Sequence, residues 1–272
     1  MDRRLHPATD RIAHTSLRGK VDAPAFTEGE VLRISMPLVD LLRSPNGARD
    51  RQLLLGAAFT VIDRLDGYVF GFAQKDGYCG WLPETALADA PRPTHWIATP
   101  GTHLYPEPRV QSTEISALSM GAQVAVLAQN AKFTQTTQGY IPTPHLRPLG
   151  QFHSDPVAVA ETFLHTPYLW GGNSRAGIDC SGLVQGALLA CGIACPGDAD
   201  LQQVLGQEIA EGASLQRGDL IFWKGHVAIA VDETRLIHAN GHTMSMAYED
   251  TQACIARIAG QDGTPVIHRR RL

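Results

Sequence analysis

The pattern of the chain changes near residue 150, and that change limits its architecture more than any single residue does. From about residue 31 to residue 88, short β-prone runs (VLRIS, FTVIDRL, YVFGFA, YCGWL) alternate with turn residues such as Ser44-Pro45-Asn46-Gly47 and Asp76-Gly77. This spacing predicts a small all-β barrel or sandwich. A second stretch echoes the first. Leu55-Gly56-Ala57-Ala58-Phe59-Thr60-Val61 resembles Ser119-Met120-Gly121-Ala122-Gln123-Val124-Ala125-Val126, and Asp76-Gly77-Tyr78 resembles Gln138-Gly139-Tyr140. The two offsets are nearly equal, so two tandem copies of one β module, joined by Ala90-Pro91-Arg92-Pro93, fit residues 30–150. Further on, residues 156–165 and 181–191 carry helical periodicity, while 218–231 and 235–239 are β-rich; helix followed by sheet predicts an α+β domain. The expected division is an N-terminal extension 1–30, β modules 31–90 and 91–150, and an α+β domain 151–272.

Composition narrows the functional classes. With 272 residues, 44% hydrophobic and 18% charged, the chain can bury sizeable cores, and its 26 Gly and 17 Pro exclude a long coiled coil. Lys and Arg number 23 against 27 Asp and Glu, so no global field attracts nucleic acid or anionic lipid, and neither is expected as a partner. The start MDRRLHPATDRIAHTSLRGKVDAP is basic but lacks the apolar core of a secretory signal, and no apolar run is long enough to span a bilayer. If residue 1 is the true start, a cytoplasmic location is expected.

The five cysteines (79, 180, 191, 195, 254) are odd in number and lack a disulfide-framework spacing, which predicts free thiols. A zinc site on Cys191 and Cys195 would need a second ligand pair that is missing, so no metal is expected. Gly171-Gly172 lacks the Gly-Lys-Ser/Thr ending of a phosphate loop, and Arg269 to Arg271 read as a solvated tail.

One cysteine stands apart. Residues 168–184, YLWGGNSRAGIDCSGLV, form a glycine-rich loop running into an apolar helix, with Cys180 where the helix begins. Unpaired N–H groups and the positive helix end favour a thiolate there and could also donate to the oxyanion of an attacked carbonyl. The base is sought among 11 histidines. His226 opens the run Val227 to Val231, and His238 lies in the following run, Leu236 to Ala239. Strand side chains alternate faces, so a three-residue turn at Asp232-Glu233-Thr234 would put the two rings diagonally on one sheet face, within hydrogen-bond range. His226 then serves as the base and His238 as the group that orients it.

The run YLWGGNSRAGIDCSGLVQ, followed by LQRGDLIFW, GHVAIAV and LIHA in this order and spacing, resembles the NlpC-type, papain-like cysteine peptidases of bacterial cell-wall metabolism. The two β modules resemble the bacterial SH3-like domains that several members carry. The resemblance implies a papain-like catalytic domain behind two SH3-like barrels. It also implies hydrolysis of the γ-D-glutamyl to diamino-acid bond of murein stem peptides such as L-Ala-γ-D-Glu-diaminopimelate, in peptidoglycan recycling and without a cofactor. Carried over by position, Cys180 is the nucleophile, His226 the base and His238 the orienting residue. Tyr168 lies beside the nucleophile, and Trp170, Asp179 and Ser181 line the pocket. In members with SH3-like domains the first barrel closes one end of the cleft and selects a free N-terminal alanine; here Tyr78 is the expected contact, with Glu84 or Asp76 supplying the carboxylate for the amine. The stretch Pro196 to Gln202 departs from the family, which has an arginine near Gly197; Asp198 is carried as a peptide contact. Two other readings are an acyltransferase using the same Cys, His and His, and a wall-binding protein with a disabled catalytic domain.

Overall fold

Runs that alternate apolar and polar residues bury every second side chain when they pair as strands. The computed structural model describes residues 1–210 and 212–272, which form two units, Met1–Gln151 and Phe152–Leu272. In the first unit an antiparallel sheet runs in the order Arg49–Leu54, Leu38–Leu42, Cys79–Pro83, Tyr68–Ala73, Ala58–Leu65, Glu30–Ile34, Leu87–Ala88. It closes on Ile34, Leu41, Leu53, Phe59, Val61, Val69 and Leu82, all buried in one cluster. Burial of each such side chain contributes about 1.5–3 kcal/mol before entropy is charged against it.

The stretch 95–148 holds two three-stranded sheets and a two-stranded one, with a separate core that includes Ile97, Leu104, Leu118, Val124 and Ile141. Its hydrogen bonding repeats that of the first sheet. Gly56 N–H donates to the Ile34 carbonyl (2.8 Å), Ala57 N–H to Leu54 (3.1 Å) and Ile34 N–H to Ala57 (3.0 Å). Further along, Gly121 N–H donates to Ile97 (3.0 Å), Ala122 N–H to Ser119 (3.1 Å) and Ile97 N–H to Ala122 (2.8 Å). The glycines are needed at both places, because their φ angles of +77° and +91° lie where a Cβ is disfavoured. Each segment also ends on a 3₁₀ turn that follows a proline, Glu84–Ala86 after Pro83 and Thr143–His145 after Pro142.

The second unit is α+β. Helices α1 (Pro156–Glu161) and α2 (Cys180–Ala190) pack together, followed by the single turn α3 (Ala199–Gln202). A six-stranded antiparallel sheet is built from β1 (Gln207–Glu208), β2 (Leu220–Trp223), β3 (His226–Ala230), β4 (Arg235–Asn240), β5 (Ser245–Asp250) and β6 (His268–Arg271), in the order β1-β6-β2-β3-β4-β5. Helix α2 packs against β3 and β4. Helix α4 (Thr251–Asp262) buries Cys254 and Ile258 against Ala228 and Ala230 of β3 and Leu236 of β4. The arginines expected in a solvated tail instead form β6. Arg271 donates to both oxygens of buried Asp219 (2.8 and 2.7 Å), and Arg270 pairs with Glu208 (3.2 Å). These carboxylates give a cationic strand a place at the sheet. Among the described residues no helix is long and apolar enough to cross a membrane.

Candidate active site

The loop before α2 is fixed by a carboxylate. Asp179 is the N-cap residue: its Oδ1 accepts from Gly182 N–H (2.6 Å) and Ser181 Oγ–H (3.0 Å), and its Oδ2 accepts from Gly171 N–H (2.9 Å). The first turn of α2 lies so close to the loop that a Cβ at Gly182 would stand 2.3 Å from the Gly172 carbonyl oxygen, which excludes any larger residue after Cys180-Ser181. Gln202, from α3, donates Nε2–H to the Ser181 carbonyl (3.0 Å) and to Pro196 (3.0 Å). The helix start is therefore held from both sides.

Cys180 is buried, and the backbone N–H groups of Val227, Ser181 and Cys180 itself lie near its thiol. The expected resting thiolate is not what this environment favours. Burial pushes the thiol up to about 12, the adjacent Asp179 charge adds to the shift, and the three N–H groups oppose it without reversing it. The physical reason lies in the cap: Asp179 already occupies the positive end of α2. Tyr168, half-buried, lies close enough to Cys180 and Asp179 to feel both charges; burial first, then these neighbours, holds its phenol above the ordinary range.

The hairpin from β3 to β4 pairs Ile229 with Ile237 and Ala230 with Leu236, and Val231 N–H donates to the Arg235 carbonyl (2.8 Å) around a three-residue turn. In this register His226 and His238 share a face, and His226 Nε2 lies 2.8 Å from His238 Nδ1. His226 also packs beside Trp223, ring centroids 5.6 Å apart. Burial pushes the His226 imidazole down to about 3, with His238 and Arg257 adding and Glu249 opposing. Burial thus works against the charged form of both the imidazole and the thiol.

Sequence reasoning missed what lies behind His238. That ring is 0% exposed, and its Nε2 is 3.0 Å from Glu249 Oε2. Glu249 in turn accepts from Arg257 Nε–H (2.7 Å) and Nη2–H (2.6 Å), which holds its carboxyl far below the usual carboxylate range. His238, Glu249 and Cys254 offer ligand atoms within 4.8 Å of one another, the one such grouping among the described residues. The Arg257 guanidinium already neutralises that carboxylate, and burial, then Glu249, pushes the Cys254 thiol up to about 12, so this donor set suits an ion pair rather than a metal.

Five of the expected binding residues are placed differently from the sequence reading. Asp179 and Ser181 turn into the helix cap instead of lining a pocket. Trp170 is 69% exposed, on the loop before α2. Glu84 is ion-paired to Arg64 (3.0 Å), so its carboxylate is already engaged. Tyr78 is 2% exposed, packed in the core cluster of the first module with the Arg51 guanidinium 5.8 Å from its ring centre. Asp76 accepts from Tyr78 N–H (3.1 Å), and Asp198 is half-buried at the start of α3. Beside His226 opens a polar cavity of about 420 Å³, bordered by Lys224, His242, Arg257 and Asn240, with no acidic side chain among its described lining residues.

Residues 165–261 match the NlpC/P60 family, and residues 41–87 match the bacterial dipeptidyl-peptidase Sh3 domain. The chain is 28% identical to dipeptidyl-peptidase 6 of Lysinibacillus sphaericus over 214 residues, covering 70% of this chain and 79% of that protein. It is 29% identical to the gamma-D-glutamyl-L-lysine dipeptidyl-peptidase of Bacillus cereus over 276 residues, covering 85% and 80%. The fold is that of an NlpC/P60 family protein from Bacillus cereus, with a TM-score of 0.75 at 20% identity over 89% of this chain and 99% of that one. A buried cysteine at a helix start, a histidine pair on the neighbouring strands and these matches lead to one assignment: residues 165–261 form an NlpC/P60 cysteine peptidase domain, carried behind a bacterial SH3 domain.

Proposed function

We propose that the enzyme hydrolyses the γ-D-glutamyl to diamino-acid bond of murein stem peptides, prefers a free N-terminal L-Ala, and acts on peptide fragments in peptidoglycan recycling inside the cell. The observation that carries this reading is the 2.8 Å bond between His226 and His238, on strands that pack against α2, the helix that the buried Cys180 begins. Cys180 is the nucleophile, His226 the base and His238 its orienting partner. As sulfur attacks the γ-carbonyl carbon, its proton passes to His226; when the C–N bond breaks, His226 returns that proton to the leaving amine, and water then hydrolyses the thioester. Neutral partners suit a buried site, because the charge pair forms only as the carbonyl is attacked. The N–H groups of Cys180 and Ser181 are candidates for stabilising the oxyanion, with Tyr168 beside them.

Two further observations support the substrate. Relatives over most of the chain are named as dipeptidyl-peptidases, one of them as a gamma-D-glutamyl-L-lysine dipeptidyl-peptidase, and removal of a dipeptide requires recognition of a free amine. The cavity beside His226 carries Lys224 and His242 where the leaving group would meet its proton donor, which suits a diamino acid bearing a free carboxylate. We also propose that residues 91–150 are a second SH3-like module; the repeated hydrogen bonds around Gly56 and Gly121 support that reading.

The test is mass spectrometry of products from L-Ala-γ-D-Glu-diaminopimelate and its N-acetylated twin. Release of diaminopimelate from the free-amine peptide alone is expected, and cleavage of neither peptide would refute the substrate.

A further inference from the structure

Glu249 and Arg257 reach the site from the junction of β5 and α4. In the β4–β5 register His238 pairs with Ala247, so Glu249, two residues on, is its diagonal neighbour on the same face. Asp250 ends the strand and caps α4 by accepting from Ala253 N–H (2.9 Å). Arg257, two turns into the helix, then lies back over Glu249.

Resting on the Cys-His-His reading above, we infer that Glu249, held by Arg257, is a positioning residue that sets the tautomers of both histidines and makes Nδ1 the basic nitrogen of His226. The argument follows the protons. A carboxylate only accepts, so the His238 nitrogen 3.0 Å from Glu249 Oε2, Nε2, carries hydrogen. A neutral imidazole has one N–H, which leaves His238 Nδ1 with a lone pair. His226 Nε2, 2.8 Å away, therefore donates, and the remaining nitrogen of neutral His226, Nδ1, is bare. A doubly protonated His238 would reverse this order. The ¹⁵N signals named below distinguish the two orders, and a wild type with Nδ1–H on His238 would overturn this one. Without Glu249, His238 could carry its proton on Nδ1. His226 Nε2 would then accept that proton, and Nδ1 would no longer be available to take the thiol hydrogen.

The test compares wild type with Glu249→Gln, Glu249→Leu and the charge-balanced double variant Glu249→Leu with Arg257→Met, which covers misfolding caused by an unpaired arginine. Three readouts apply: histidine ¹⁵N tautomer signals, kcat and KM on the tripeptide, and the rate at which iodoacetamide alkylates Cys180. Wild type should show Nε2–H on both rings. Both leucine variants should show Nδ1–H on His238, a kcat about tenfold to a hundredfold lower and slower alkylation of Cys180, and the single Glu249→Leu variant should leave KM unchanged. Gln retains an acceptor oxygen and should recover much of the loss. Unchanged tautomers or unchanged kcat in the leucine variants, or a Gln variant no better than Leu, would overturn the inference. Tautomers and alkylation need no substrate, so they decide the matter even if the tripeptide is not cleaved, an outcome that would count against the proposed substrate alone.

Discussion

The two sides of the Cys180 site each use one buried or half-buried carboxylate, for opposite purposes. On the nucleophile side Asp179 takes up backbone N–H groups of Gly171 and Gly182, which fixes where the sulfur stands and also neutralises the helix end that would otherwise favour a thiolate. On the side of the proposed base Glu249 takes up side chains, His238 and Arg257, and in the proposal above it sets where the protons stand. One carboxylate controls position and the other protonation. Loss of the first should therefore appear mainly in stability, and loss of the second mainly in turnover.

The largest effect expected is from Cys180→Ala, which should reduce hydrolysis to background while leaving the thermal midpoint near that of wild type, measured by product release and calorimetry. Second in size, His238→Ala should lower kcat about a hundredfold with little change in KM, because it removes the partner that holds the base without touching substrate. Asp179→Ala should cost about 2 kcal/mol in denaturant unfolding, from a lost cap and stranded N–H groups. An Asp179 variant of full stability would erase the contrast between the two sides.

The pH dependence of stability separates the two sides by sign. The His226 imidazole is depressed from 6.5 to about 3, so the unfolded chain binds a proton that the folded one refuses, and stability falls as pH drops from about 6.5 towards 3. The Cys180 thiol is raised from 9.0 to about 12, so the folded chain keeps a proton that the unfolded one loses, and stability falls as pH rises from about 9 towards 12. In urea titrations across pH, His226→Gln should flatten the acid slope and leave the alkaline one. Cys180→Ala should remove part of the alkaline slope, since Cys79 and Cys254 are pushed up in the same way. The smallest effect expected is from Lys224→Ala, a few-fold rise in KM for the tripeptide that disappears when the diamino acid's carboxylates are amidated.

What could be read from the sequence follows the same division. Cys180, His226 and His238 stand in short runs whose periodicity and turn length give their faces directly, so their juxtaposition follows from counting residues. Glu249 and Arg257 were not legible, because Ser-Met-Ala-Tyr-Glu-Asp lacks the β-branched residues that mark a strand, and without β5 nothing ties residue 249 to His238. Side-chain direction was the other gap. Asp179, Ser181 and Tyr78 are of types that suit a binding pocket, but nothing in their neighbours distinguishes a cap or a core position from a lining one. Three successive arginines read as a tail because their partners, Asp219 and Glu208, are more than fifty residues away.

The most direct test of the account is cleavage of L-Ala-γ-D-Glu-diaminopimelate in H₂¹⁸O, with wild type and Cys180→Ala compared by mass spectrometry. A thioester on Cys180 resolved by water predicts one ¹⁸O in the γ-carboxylate of the released L-Ala-γ-D-Glu, none in diaminopimelate, and no products from the variant. Turnover by the variant at the wild-type rate, a cut at another bond, or transfer of the dipeptide to an amine without ¹⁸O would contradict it.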